Sequence, residues 1–257
     1  MKQRIITGVI AGALFISIVI LGDAYLSLLI MLMATVGLYE LLRMKDIPPF
    51  SAIGIVSFLG MWTILLPLET AYPQKETLLL YVMLALIVTV ISKNRYTFDH
   101  VGFIIISALY VGGGFFYFLQ TRAAENGLLL VFFILFSVWA SDSGAYFTGR
   151  KFGKHKLWPE ISPKKTIEGS VGGIIWSILV AILFQIFAPI FDHTWYAIVV
   201  AIVISIAGQI GDLVESAFKR HYDVKDSGKI LPGHGGILDR CDSWLFVFPI
   251  LHLLQLI

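Results

Sequence analysis

Near the carboxyl terminus, acidic, basic and glycine residues recur at spacings suited to phosphate chemistry. Asp212 and Ser216 stand at i and i+4, so on a helix they share one face. Glu215 and Lys219 share another, as an ion pair. Asp239 and Asp242 stand at i and i+3, on one side of any helix that has begun by Asp239. Between these pairs lies Pro232-Gly233-His234-Gly235-Gly236, whose glycines permit backbone conformations and close approaches that a side chain would block. Carboxylates gathered from two helix ends make a hard oxygen site of the kind Mg²⁺ takes, usually shared with substrate phosphates. Without a cation, three aspartates would repel one another. The bland alternative is neutralisation by Lys219, Arg220 and Arg240 in a purely structural network. His234 in its glycine-rich loop reads first as a hydrogen-bonding structural residue and only second as a substrate contact. Cys241 is the only cysteine, which excludes an intramolecular disulfide and a thiolate metal cluster.

A second polar segment runs from Ser141 to Gly169. Asp142 lies within an apolar run, where an ionisable group is costly and normally faces a cavity or a partner; the alternative is a carboxylate at a helix end reaching water. Six Lys or Arg residues follow between Arg150 and Lys165. Ser162-Pro163 predicts a helix start, which would bring Lys164, Lys165 and Thr166 to an amino-terminal turn able to hold phosphate oxygens. A basic loop lying against anionic head groups would look the same.

The elements that must position these residues are membrane helices. Of 257 residues, 58% are hydrophobic and 14% charged, and the mean hydropathy is +0.85, which excludes a soluble, secreted or disordered chain. Crossing about 30 Å of hydrocarbon takes about 20 mostly apolar residues. Nine such stretches are predicted: Ile5 to Leu21, Ala24 to Leu42, Ser51 to Leu68, Thr77 to Ile91, Val101 to Leu119, Leu128 to Thr148, Val171 to Phe191, Trp195 to Val214, and Gly236 to Ile257. The fold class is all-α, a polytopic integral membrane protein of about nine transmembrane helices. Residues 1–257 form a single transmembrane domain whose catalytic part spans approximately 137–243. Gly22-Asp23 predicts a tight turn between the first two spans, and Gly112 to Gly114, Gly172-Gly173 and Gly8-x-x-x-Gly12 predict close helix packing. With a cytoplasmic amino terminus, 17 of the 19 Lys and Arg residues fall inside and only Lys75 and Arg122 outside, which fixes the expected orientation. The amino-terminal apolar run could also be a signal peptide, but no convincing small-residue cleavage site follows it, so its retention is expected.

The run Ser216-x-x-Lys219-Arg220-x-x-x-x-Lys225-Asp226-x-Gly228-x-x-Leu231-Pro232-Gly233-His234-Gly235-Gly236-x-x-Asp239-Arg240-x-Asp242 resembles the signature of the phosphatidate cytidylyltransferases, also called CDP-diacylglycerol synthases. Asp142-Ser143-Gly144-Ala145-Tyr146, Gly149-Arg150, Ser162 to Thr166 with Glu168-Gly169, and Gly211-Asp212-Leu213 resemble further parts of that family's pattern. The likeness is sharp over the carboxyl-terminal half; the first five spans match only in being apolar. It implies an enzyme of the bacterial inner membrane that joins CTP and phosphatidate into CDP-diacylglycerol and pyrophosphate, uses Mg²⁺ with room for a second cation, and works at the cytoplasmic face. A homodimer is compatible with it, and nucleic acid has no part. Asp212 and Asp239 are then the expected metal ligands, with Asp242 and Asp142 as additional ones. Lys164, Lys165, Thr166, Ser216, Lys219, Arg220, Lys225, His234 and Arg240 are the expected substrate contacts, Lys165 and Lys219 among them nearest the chemistry.

Two rivals stand beside this reading. A CTP-dependent polyprenol or lipid kinase would share a nucleotide site at the membrane boundary but would leave CDP. A transporter would scatter polar residues near the midplane and carry internal repeats, whereas here the first five spans hold almost no ionisable residues in their interiors. The Asp-Gly-x-x-Ala-Arg pattern of a CDP-alcohol phosphotransferase is absent.

Overall fold

The computed structural model describes the backbone of residues 2–66 and 74–257 and the side chains of residues 6–66 and 75–257. Leu68, the expected end of the third span, and the side chains of Lys2 and Arg4 lie outside the described residues. Nine described helices follow in the predicted order: α1 (Lys2–Leu21), α2 (Asp23–Met44), α3 (Ala52–Leu65), α4 (Gln74–Ile91), α5 (Phe98–Ala123), α6 (Gly127–Phe152), α7 (Ile167–Phe187), α8 (Thr194–His221) and α9 (Leu238–Leu253). Agreement in number is not agreement in length. Five helices, α2, α5, α6, α7 and α8, are long and apolar enough to cross a membrane, which makes this a membrane protein. The described part of α3 has 14 residues and α9 has 16, about 21 and 24 Å at 1.5 Å per residue. The apolar part of α1, Ile6–Leu21, is also short. The helix α4 opens on Gln74-Lys75-Glu76 and spends its first turn on polar residues.

The chain forms two compact units. Unit 1 comprises Met1–Phe116 and Val224–Arg240. In it α1 packs on α2, α2 on α3, and α3 on α4. The expected turn is present: Gly22 at φ +71° and Asp23 at φ +44° reverse the chain between α1 and α2. Fully buried Leu26, Ile30, Leu38, Ile53 and Met61 fill the core. Two hydrogen bonds cross it, Trp62 Nε1 to Thr35 Oγ1 at 3.0 Å and Tyr81 Oη to the Ile104 carbonyl at 3.0 Å. Gly112 faces Met61 and Ile64 with little room for a side chain, so this glycine of the triplet permits a close approach, whereas Gly113 faces open space.

Unit 2 comprises Tyr117–Asp223 and Cys241–Ile257. Here α6, α7 and α8 pack on one another. Small residues set the spacing: a side chain on Gly144 would strike Trp176, one on Gly172 would strike Thr148, and one on Gly173 would strike Ser141. Hydroxyls and an amide then tie the helices laterally. Ser141 Oγ lies 2.7 Å from Ser205 Oγ, Ser177 Oγ donates to the Ala201 carbonyl at 2.9 Å, and Gln209 Nε2 donates to the Ser170 carbonyl at 3.3 Å.

The segment between α6 and α7 departs from expectation. Ser162-Pro163 does not start a helix: β1 (Lys156–Trp158) and β2 (Ser162–Thr166) form an antiparallel hairpin, with Lys156 opposite Thr166 and Trp158 opposite Ser162. Proline's fixed φ fits an extended edge strand as well as a first helical turn, and here the strand wins. The helix α7 starts four residues later, where Thr166 Oγ1 accepts from Gly169 N at 3.1 Å as a side-chain cap. Glu168 closes the hairpin by accepting from Lys154 N at 3.1 Å and His155 N at 3.2 Å, and its Oε1 lies 2.7 Å from His155 Nδ1.

Candidate active site

Unit 2 gathers charge at one end of its helices. Asp212 and Ser216 share a face of α8 as their spacing requires, Ser216 Oγ donating to Asp212 Oδ1 at 3.3 Å. One residue round the helix, Lys219 pairs with buried Glu215 at 2.9 Å. The strand β2 delivers Lys165, whose ammonium lies 2.7 Å from Asp212 Oδ2. Asp142, from α6, is exposed and feels the charges of Asp242, Asp212 and Lys165. Asp242, from α9, feels those of Asp212 and Lys219.

Lys165 is the informative member. Its Nζ is buried, and the contact with Asp212 is an ion pair out of line for a hydrogen bond, so no hydrogen-bond acceptor takes its protons. A buried ammonium with three donors to place is costly to leave so. An anion arriving beside Asp212 would take them.

The neighbours of Lys165 behave differently. Lys164 is exposed, on the opposite side of the strand, so the structure separates the two lysines that the sequence placed together. Thr166, only 7% exposed, spends its hydroxyl on the cap of α7. Exposed Arg220 reaches the Ile161 carbonyl through Nε at 3.4 Å.

Four carboxyl groups, Asp142, Asp212, Glu215 and Asp242, thus face two ammonium groups, Lys165 and Lys219. That excess of hard oxygen donors has the chemistry a divalent cation prefers. Among the described residues, however, no three His, Cys, Asp or Glu side chains stand close enough to hold one.

Unit 1 holds the glycine-rich loop and Asp239. Gly233 at φ +78° and Gly235 at φ +83° adopt left-handed conformations, and Leu231 N donates to the Gly235 carbonyl at 3.0 Å to close the loop. Arg240 Nε donates to the His234 carbonyl at 2.9 Å. The His234 ring rests against Gly8, and its Nδ1 is buried without a hydrogen bond. Lys225 is exposed. Asp239 Oδ2 accepts from Ser227 N at 2.8 Å, Gly236 N at 2.8 Å and Ser227 Oγ at 3.0 Å. The helix α9 has begun at Leu238, so Asp239 and Asp242 do stand at helical spacing. By unit, Asp239 belongs to unit 1, whereas Asp142, Asp212 and Asp242 belong to unit 2.

One residue escaped the sequence reading. Glu40, 2% exposed within the otherwise apolar α2, accepts from Ser227 Oγ at 2.8 Å and from Ile237 N and Leu238 N at 3.0 Å each. The signal that singled out Asp142, an acid inside an apolar run, applies to Glu40 as well.

Comparison with known proteins agrees with this chemistry. Residues 2–257 match the family model described as the cytidylyltransferase family. A protein of Bacillus subtilis (strain 168) named phosphatidate cytidylyltransferase is 48% identical, over 99% of this chain and 97% of its own length. Proteins of the same name from Staphylococcus haemolyticus (strain JCSC1435) and Staphylococcus aureus (strain COL) are 46% and 44% identical, each over 99% of this chain and 98% of its own length. A family-model match over residues 2–257, with relatives this similar over nearly their whole length, establishes that the protein belongs to the cytidylyltransferase family, among the phosphatidate cytidylyltransferases.

Proposed function

We propose that this chain carries out the reaction in its relatives' name, joining CTP and phosphatidate into CDP-diacylglycerol and pyrophosphate as a step of phospholipid synthesis. A phosphatidate oxygen forms a bond to the α-phosphorus of CTP, and the bond from that phosphorus to the bridging oxygen of the β-phosphate breaks in line. Such transfers depend on positioning and charge neutralisation more than on covalent help from the protein. A phosphate monoester has a second pKa of about 6, so the nucleophile is mainly dianionic at neutral pH and needs no strong base. His234 is therefore assigned no proton.

The observation that carries this reading is Lys165, a buried ammonium beside Asp212 with its donors unaccepted. Arrival of the triphosphate gives these donors oxygen acceptors, and Lys219 and Ser216 stand on the same stretch of α8 for the same purpose. Arg220, Lys225 and Arg240 are exposed cations that draw both anionic substrates. Asp142, Asp212 and Asp242 would share Mg²⁺ with the substrate phosphates, whose charge it would neutralise, since these carboxylates as they stand are not close enough to hold the ion by themselves. Asp239 keeps its proposed place as a metal ligand on the strength of its motif. A CTP-dependent lipid kinase would release CDP. Labelled CTP incubated with purified protein and phosphatidate should yield labelled CDP-diacylglycerol with pyrophosphate, and recovery of CDP in their place would overturn the assignment.

The finer topology is nine crossings in one domain of the cytoplasmic membrane, with the amino terminus and the catalytic residues on the cytoplasmic side. The support is the 17 basic residues that alternation places on one side, and local thinning of the bilayer accommodates short helices such as α3. Cys241 is buried, so single cysteines can be introduced against a quiet background. In intact cells an impermeant thiol reagent should label a cysteine at His193 and spare one at Lys154. The reverse pattern would require an inverted topology.

A further inference from the structure

We propose that Glu40 is a positioning residue that holds the glycine-rich loop and, through the Ser227 hydroxyl, sets the carboxylate of Asp239. The inference rests on the reading of Asp239 as a participant in the reaction, but its geometry lies wholly within unit 1.

A buried carboxyl group within a largely apolar helix is unfavourable unless its hydrogen-bond donors are supplied by the fold. Here they come from 187 to 198 residues away in sequence. Ile237 N donates to Glu40 Oε1, and Leu238 N donates to Oε2. These groups precede the first full turn of α9, where backbone N–H groups have no acceptor within their own helix. Glu40 therefore caps α9 from another helix and meets that helix's positive end with a negative charge.

The third donor makes the connection to Asp239. Ser227 Oγ lies 2.8 Å from Glu40 Oε2 and 3.0 Å from Asp239 Oδ2, and it accepts from Asp239 N at 3.4 Å. One hydroxyl carries one proton, so the two carboxylates share it. The spacing between them is thereby set by a single oxygen. Glycine completes the arrangement: neither Gly228 nor Gly236 could carry a Cβ without striking the Glu40 carboxylate. The backbone thus closes on Glu40 from two sides. Gly228 and Gly236 are the glycines on which the loop's contact with Glu40 depends, whereas Gly233 and Gly235 are needed for their φ.

Glu40→Gln is the sharpest test, because it keeps the volume and removes the charge. An amide presents one oxygen, so its NH₂ must face Leu238 N–H or Ile237 N–H, donor against donor. In purified protein, amide exchange read by mass spectrometry should rise at least tenfold in peptides covering residues 225–240 and stay unchanged across α7 and α8. Turnover should fall at least tenfold in kcat, with KM for CTP within threefold of wild type, since Lys165 and Lys219 lie in unit 2 and are untouched. Ser227→Ala removes the shared hydroxyl, with its acceptor for Asp239 N, and should lower kcat about threefold to tenfold with the same split, which keeps the test alive if Glu40→Gln fails to fold. A kcat within twofold of wild type in Ser227→Ala, or in folded Glu40→Gln, overturns the proposal. So does a rise in exchange spread evenly over the chain, which would mark Glu40 as a general stabiliser. Exchange is read without substrate, so wild-type protein that makes no CDP-diacylglycerol would sink the functional reading and leave this measurement standing.

Discussion

Asp212→Asn should lower kcat about a hundredfold or more while the purified protein remains folded in detergent. The expected size follows from what removal of one charge-stabilising group costs phosphoryl and acyl transfer enzymes, on the order of 10² to 10³. The substitution is nearly isosteric and Asp212 is not fully buried, its side chain being 35% exposed, so little stability is at stake. Ser216 can still donate to the remaining oxygen. What disappears is the negative charge that faces Lys165 and that a divalent cation would need. Asp239→Asn should be at least as damaging, because it removes the carboxylate charge while its amide oxygen can take the place of Oδ2 and keep the donors Ser227 N, Gly236 N and Ser227 Oγ. Near-normal kcat at saturating Mg²⁺ in both would remove these aspartates from the chemistry.

Lys165→Ala should lower kcat and kcat/KM together, by about a hundredfold, while Lys164→Ala stays within about twofold of wild type. The contrast comes from the strand. Alternation along β2 turns Lys165 onto Asp212 and leaves Lys164 in solvent. A solvated lysine only recruits anions, an effect that added salt would mimic and that would show in KM. A buried ammonium that meets phosphate as its charge rearranges acts on the transition state and shows in both constants. Steady-state kinetics in CTP, at saturating phosphatidate and fixed ionic strength, separates these outcomes. Equal losses in the two variants, or a change in KM alone for Lys165→Ala, would contradict this assignment.

Local spacing made much of this protein readable from its residues. The pairs Asp212 with Ser216 and Glu215 with Lys219 sit within one turn of a single helix, so their contacts follow from the helical period alone. The Gly22-Asp23 reversal follows from backbone sterics, and the close approach of α6 and α7 follows from what Gly172 and Gly173 lack. The signature residues from Ser216 to Asp242 indicated the family before any fold was known. The hairpin escaped because Ser-Pro is compatible with both a helix start and an edge strand, and only pairing across Lys156 and Thr166 decides between them. Helix length escaped in part because apolar composition continues past the point where a helix stops, as in α9, which ends at Leu253. The unequal fates of Lys164 and Lys165 depend on which strand face meets α8. Glu40 depends on donors up to 198 residues away in sequence. Residue type and period determine the local contacts. Which buried charge finds its partners is decided by chain closure over distances that no local pattern encodes.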